Sequence, residues 1–394
     1  MNVLFLSMTF PDAINPERGT YNLEFCAALA RRHNVSVIAP RSWHEWLNVK
    51  RSGDLYEPSA DTKTHGVPVA FPVFWYLPRV KPDLMGRAIW QSIRGTARRI
   101  SETFRPDVVV SYWAFPDADG GLHAARHFDV PSVVIAGGSD VLLLPKEPGR
   151  GPAVRRVLTQ SSMVTTVSEG LKDATIALGV PPSRAKTIRQ GVNPRVFHHG
   201  DKALARTKLG LAAQAEVLVW VGRMVPVKNL DLLIDAVKVL AAERANLTLH
   251  LIGDGASRAA LQARVEAEGL SRTIKFEGAV AHDRLPDWYR AADAVVLSSH
   301  SEGLPNVLRE SLACGTPFVA TDVGDIGEIA RQEFSQLVAS GDTRAFAAAI
   351  ANVLKPDFSK AAAQYQARNW DDCANEYSDL LEQLVSTRKA AAIA

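Results

Sequence analysis

Cysteine is nearly missing from this chain: three in 394 residues, at Cys26, Cys314 and Cys373, far apart in sequence. An odd, scattered set makes neither a disulfide framework nor a thiolate metal site, which fits a reducing, cytoplasmic compartment. The ten histidines show no ligand spacing either, so no metal is expected. Net charge is small, +3, too little to argue for a nucleic-acid partner. No window has the apolar length of a membrane span. The opening "MNVLFLSMTFPD" lacks a basic start and a small-residue cleavage site, so it reads as a first strand rather than a signal peptide. Solenoid repeats are absent. So is a full Gly-X-Gly-X-X-Gly after any strand, which argues against an NAD dehydrogenase.

What remains is an ordinary globular composition, 47% apolar and 22% charged, on a chain long enough for two domains. Short β-rich apolar runs alternate with helical stretches. The first series is Val3–Met8, Val35–Ala39, Val67–Val73, Val108–Trp113, Ser132–Ala136 and Val164–Val167. The second is Val217–Val221, Leu247–Ile252, Ile274–Phe276, Ala294–Ser298 and Phe318–Thr321. Such runs predict parallel sheets covered on both faces. The expected fold class is α/β, two Rossmann-like domains facing a cleft. The segment 198–216 has no strand signal and is the candidate boundary, giving domains 1–198 and 199–369.

Three stretches of the second half suit a diphosphate. "VLVWVGRMVPVKNLDLLIDAV" places Gly222, Arg223 and Lys228 in a loop between strand and helix, a planar fork and a point charge for phosphate oxygens. "LHLIGDGASRAALQARV" carries Gly253 and Gly255 at a strand-to-helix turn. "SSHSEGLPNVLRESLACGTP" sets Glu302, Gly303 and Leu304 before a helix whose first turn Pro305 suits. The N–H groups of Asn306, Val307 and Leu308 then favour an anion. Glu310 lies about one turn deeper, roughly 6 Å along the axis, where a carboxylate suits a neutral diol such as ribose. Each stretch alone also reads as ordinary structure: solvated loop cations, a tight turn, an acidic helix start. Together, at strand ends of one domain, they favour a ligand site.

With these stretches in hand, the sequence resembles the retaining glycosyltransferases of family 4, which have the GT-B fold. The resemblance is strongest over 217–329. It implies a nucleoside-diphosphate sugar as donor substrate, with no other cofactor. Arg223 and Lys228 are then expected on the diphosphate, Glu310 on the ribose, and Glu302 with the backbone of 303–307 on the transferred sugar. Gly222, Gly253 and Gly255 belong to the same donor set, and Gly19 in "PERGTY" to the loop over the phosphates. The helix from Trp370 is similar to the terminal helix that returns to the first domain, giving 370–394. Arg223, Lys228, Glu302 and Asp140 are the expected catalytic residues.

The sequence also departs from the family. Gly137 stands in "AGGSDV" where members often have histidine, with Asp140 retained, and Tyr112 stands where a histidine is common. The pair in "FPDADGG", Asp117 and Asp119, imitates a metal motif of another fold but reads as a turn opening a helix.

The implied acceptor is a hydroxyl of a glycan or of a lipid-linked acceptor, in cell-surface polysaccharide or glycolipid synthesis. Two rivals share the donor site: a GT-B nucleotide-sugar epimerase and a non-catalytic sugar-nucleotide-binding protein. A further expectation concerns the membrane. In "PDLMGRAIWQSIRGTARRISETF", Met85, Ile89, Ile93, Ala97, Ile100 and Phe104 form a helical stripe with arginines largely off it. The segment 72–104 is a candidate peripheral contact with an anionic inner membrane face, against the alternative of a core-facing stripe.

Overall fold

The structure, a computed structural model, describes residues 1–52, 56–77 and 81–393. Residues 78–80, part of the expected membrane segment, lie outside the described residues. The chain divides into two compact units, Met1–Gly191 with the segment from Asn369 onward, and Val192–Arg368. The division falls slightly before the expected 198/199. The segment 198–216 lies inside the second unit, where its helix Lys202–Leu209 is held through Arg206 to Asp293 at 2.8 Å.

The first unit contains β1 (Asn2–Leu6), β2 (Asn34–Ile38), β3 (Arg41–Ser42), β4 (Val69–Ala70), β5 (Val73–Phe74), β6 (Val108–Tyr112), β7 (Ser132–Ala136), β8 (Met163–Thr166) and β9 (Ala185–Thr187). A parallel sheet runs β4-β2-β1-β6-β7-β8-β9. Alternation along β1 sends Val3 and Phe5 into one core and Leu4 and Leu6 into another, as expected of a strand covered on both faces. The expected single strand Val67–Val73 is broken. Pro72 has no N–H for a ladder, and beyond it β5 leaves the main sheet to pair with β3.

The expected membrane stripe is largely a core stripe. In the helix Met85–Ser101, Ile89, Ile93 and Ala97 are buried against Leu4, Leu6 and Val109 of the sheet. Its arginines face outward, which is the pattern of an ordinary amphipathic covering helix. Among the described residues no helix is long and apolar enough to cross a membrane.

In the second unit the strands are β10 (Glu216–Val221), β11 (Leu247–Ile252), β12 (Ile274–Gly278), β13 (Ala294–Leu297), β14 (Phe318–Thr321) and β15 (Ser335–Val338). They form a parallel sheet in the order β12-β11-β10-β13-β14-β15. Chain order reverses between β10 and β13, so the loops after these two strands lie side by side, where such sheets bind ligands. The corresponding reversal in the first unit lies between β1 and β6.

The terminal helix Trp370–Ile393 belongs to the first unit, where Tyr377 meets the ring of Phe25 at 4.7 Å and the hydroxyl of Thr165 at 2.8 Å. Where the chain leaves the first unit and returns, the two passes run together: Val192 N–H donates to Arg368 O at 2.8 Å.

Candidate active site

At the β10/β13 reversal the structure brings Lys228 and Glu302 into contact. Lys228 Nζ is 2.7 Å from Glu302 Oε1, with the two side chains 23% and 9% exposed. Three further bonds hold the loops in register: Ser298 Oγ donates to the carbonyls of Lys228 and Asn229, and His300 N–H to Val227 O. Ser299 Oγ donates to the same Glu302 oxygen at 2.5 Å. Arg223 is exposed in the same β10 loop, and no ion pair engages it among the described residues.

The helix Asn306–Ala313 starts directly after Pro305, which is its N-cap rather than part of its first turn, and no side chain caps it. Its first N–H groups therefore remain open to an anion.

Glu310 is already engaged. Its carboxylate accepts from the buried Tyr289 hydroxyl at 2.9 Å, and His282 Nε2 lies 3.5 Å from the other oxygen. Burial, with the neighbouring Glu310 charge, holds the Tyr289 hydroxyl well above its usual range. A carboxylate has about four acceptor sites, so this engagement leaves room for a diol. Sequence reasoning missed Tyr289, His282 and Ser299, which carry no motif of their own.

The two glycines of the β11 turn pack closely on the β10 loop. A Cβ on Gly253, at φ 130°, would lie 1.9 Å from Gly222 O, and one on Gly255 2.4 Å from Met224 O. They admit the neighbouring β10 loop. That packing fixes Gly222 and the chain carrying Arg223, with Met224 N–H donating to Asp254 O at 2.8 Å. Gly324 was not foreseen. At φ 58° it lets its loop pass under Glu302, and Asp325 N–H donates to Gly303 O at 3.2 Å. A glycine in a turn straight after an apolar strand was the available signal.

In the first unit Gly19 adopts φ 67° as the N-cap of the helix Thr20–Ala30, which no side chain caps. A Cβ there would stand 2.4 Å from Thr9 O. The loop from β1 to Gly19 is braced by a pair absent from the sequence reading: Arg41, fully buried, bonds Asp12 at 2.8 Å and the carbonyls of Met8 and Phe10.

Asp140 is not presented to a ligand. It is fully buried, and its carboxylate accepts from the N–H groups of Ala114 (2.9 Å), Gly137 (3.2 Å) and Gly138 (2.8 Å). Burial raises its pKa to about 6. Its observed contacts clamp the loops after β6 and β7.

Asp117 and Asp119 open the helix Asp117–Phe128. Asp117 takes the N–H of Met8, and Asp119 binds Arg156 at 2.8 Å. Burial raises Asp117 to about 7. No acidic, histidine or cysteine cluster suited to a metal occurs among the described residues.

Comparison with known proteins agrees with this architecture. Residues 19–196 match the family model Glycosyltransferase Family 4, and residues 215–356 match Glycosyl transferases group 1. A D-inositol 3-phosphate glycosyltransferase of Thermobispora bispora is 37% identical over 227 residues, 52% of this chain and 53% of that protein. The chain thus spans about half the length of this relative. A teichuronic acid biosynthesis glycosyltransferase of Bacillus subtilis, described as putative, is 25% identical over 89% of this chain and 88% of that one. Among solved structures, HepE of Anabaena in complex with UDP superposes with a TM-score of 0.74 at 21% identity, over 98% of this chain and 100% of the other. The fold is GT-B. The chain belongs to the family 4 glycosyltransferases.

Proposed function

We propose that the protein is a retaining glycosyltransferase that moves a sugar from a nucleoside-diphosphate sugar to a hydroxyl of a glycan or lipid-linked acceptor, in cell-surface polysaccharide or glycolipid synthesis. The observation that carries this is the Lys228–Glu302 pair at the strand reversal, beside the open helix start at Asn306. One group suits a phosphate and the other sugar hydroxyls. That HepE has been solved with UDP and with UDP-glucose makes a uridine donor the first to try.

As the glycosidic bond breaks, charge grows on the β-phosphate. In this reading Arg223, Lys228 and the N–H groups at 306–308 stabilise it, an electrostatic role in which losing one donor costs roughly 100–1,000-fold. The acceptor hydroxyl attacks the face the phosphate leaves, and its proton passes to that phosphate. No side-chain base is then required, which agrees with a glycine at 137 and a buried Asp140. These cations supply the neutralisation that a divalent metal gives elsewhere, so transfer is expected to persist in a chelator.

Membrane contact remains part of the proposal, on a different surface from the helix stripe. Trp75 is 58% and Leu77 70% exposed. Trp75 stacks on Trp43 (5.9 Å, 7°), and Trp46 carries Lys50 over its ring at 4.9 Å. Exposed aromatic and aliphatic side chains beside cations suit an anionic lipid interface.

The test is incubation of nucleotide sugars, UDP-glucose first, with and without glycan and lipid-linked acceptors. Sugar transfer with retained anomeric configuration supports the reading. An epimerised donor, or binding without turnover, rejects it.

A further inference from the structure

Two serines follow β13 directly, and both are fully buried. A buried hydroxyl needs a partner, and these two find theirs on opposite members of the Lys228–Glu302 pair. Ser298 Oγ lies 3.1 Å from Lys228 O and 2.9 Å from Asn229 O. A serine has a single hydroxyl proton, so the two carbonyls share it. Ser299 Oγ donates to Glu302 Oε1 at 2.5 Å. Ser299 O in turn accepts from the buried Thr321 hydroxyl, at the end of β14, at 2.6 Å.

The turn that carries Lys228 is a slight one. Pro226–Lys228 is a single 3₁₀ turn, with Lys228 N–H on Val225 O at 2.9 Å and Asn229 N–H on Pro226 O at 3.0 Å. Bonds of this kind are poorly aligned and such turns are short. It ends at Asn229, left-handed at φ 48° and N-cap of the helix Leu230–Ala241, which no side chain caps. Ser298 reaches the exit of this turn from another strand end. A lysine ammonium sits on a flexible four-carbon stem, so its place depends on its partner and on its backbone. In the unliganded protein the partner is Glu302. A phosphate that takes the ammonium from Glu302 removes that restraint, and the placing of the Lys228 backbone then carries the aim.

We infer that Ser298 is a positioning residue for Lys228: its hydroxyl, fixed at the end of β13, holds the turn from which the ammonium meets a diphosphate. Ser299 holds Glu302 from the next position, so one strand end sets the spacing of the pair. The inference rests on the glycosyltransferase reading above and adds the group that aims its lysine.

Titration calorimetry with nucleoside diphosphates, UDP first, on wild type, Lys228→Ala, Ser298→Ala and the double variant tests it. Ser298→Ala is expected to weaken binding about 3- to 10-fold in the wild-type background. With Lys228 already alanine, the same change is expected to cost less than about 2-fold. Equal losses in both backgrounds, or wild-type affinity in Ser298→Ala, overturn the inference. A purely structural serine would lower Tm alike in both backgrounds without this dependence on Lys228. Kinetics with the nucleotide sugar that the wild type turns over give a second readout. Ser298→Ala is expected to lower kcat, because Lys228 acts on the departing phosphate, and a raised KM at unchanged kcat overturns that link. If Ser298→Ala does not melt cooperatively, Ser298→Cys, close in size and with only a weak S–H donor, takes its place in the cycle with the same two outcomes. Calorimetry needs no acceptor, so a wild type that binds no nucleoside diphosphate sinks the functional reading, whereas additive losses sink this inference.

Discussion

The contact between Lys228 and Glu302 makes a prediction that a simple list of donor-site residues does not. In the unliganded protein the lysine is neutralised by Glu302 at 2.7 Å, so a phosphate must compete for it. Consider UDP, which carries the phosphates but no sugar. Lys228→Ala removes a charge-assisted hydrogen bond and is expected to weaken UDP binding roughly 10- to 100-fold. Glu302→Ala removes the competitor and a negative charge near the diphosphate, and costs UDP no sugar contact. It is expected to tighten UDP binding by about 3- to 10-fold, while abolishing sugar transfer.

Stability follows the same pair. In Lys228→Ala, Glu302 keeps only Ser299 among its observed partners, at 9% exposure, so a loss of about 1–3 kcal/mol is expected. The larger cost of breaking a fully buried pair, roughly 3–5 kcal/mol, is not reached because Lys228 is 23% exposed. The double variant should lose less than the sum of the singles. Titration calorimetry with UDP and urea melts read both effects. If Glu302→Ala weakens UDP binding as much as Lys228→Ala does, the competition argument is wrong.

Other sites give further tests. Glu310→Ala orphans the buried Tyr289 hydroxyl and should destabilise by about 1–3 kcal/mol. Glu310→Gln retains an acceptor for it, so a near-native melt with weakened UDP binding isolates the ribose role, and unchanged binding removes it. Asp117, raised from 3.8 to about 7 by burial, binds its proton more tightly folded than unfolded. Its contribution to stability is therefore greatest below about pH 4 and falls away as pH rises to about 7. The difference in stability between wild type and Asp117→Asn should shift in favour of the variant across that window, and a flat difference refutes the assignment. Trp75→Ser with Leu77→Ser should reduce sedimentation with anionic vesicles, and equal, negligible binding of the wild type to anionic and neutral vesicles rejects the membrane surface.

What the sequence disclosed here was local. Strands such as Ser132–Ala136 and Leu247–Ile252 were legible because continuous apolar runs admit few alternatives, and β15 was not, because "SQLV" has only two apolar residues on an edge. The spacing of Glu302 and Glu310 was legible because both flank one helix start. Their partners were not: Lys228, Tyr289 and His282 arrive from other elements, and only strand order brings them there. Gly253 and Gly255 announced a close approach without saying to what, and the answer was the β10 loop. Likewise the stripe from Met85 to Phe104 fixes an amphipathic helix, but the identity of the apolar surface it meets, its own sheet, depends on tertiary packing. Asp140 shows the same limit, since its burial and its three backbone partners follow from two loops meeting.

The most direct test of the central claim is release of nucleoside diphosphate from a panel of nucleotide sugars, run with wild type and Lys228→Ala in the presence of chelator. The account predicts sugar transfer by the wild type with retained anomeric configuration, and a rate reduced roughly 100-fold or more in the variant. Failure to turn over any nucleotide sugar, or activity restored only by magnesium or manganese, would contradict it.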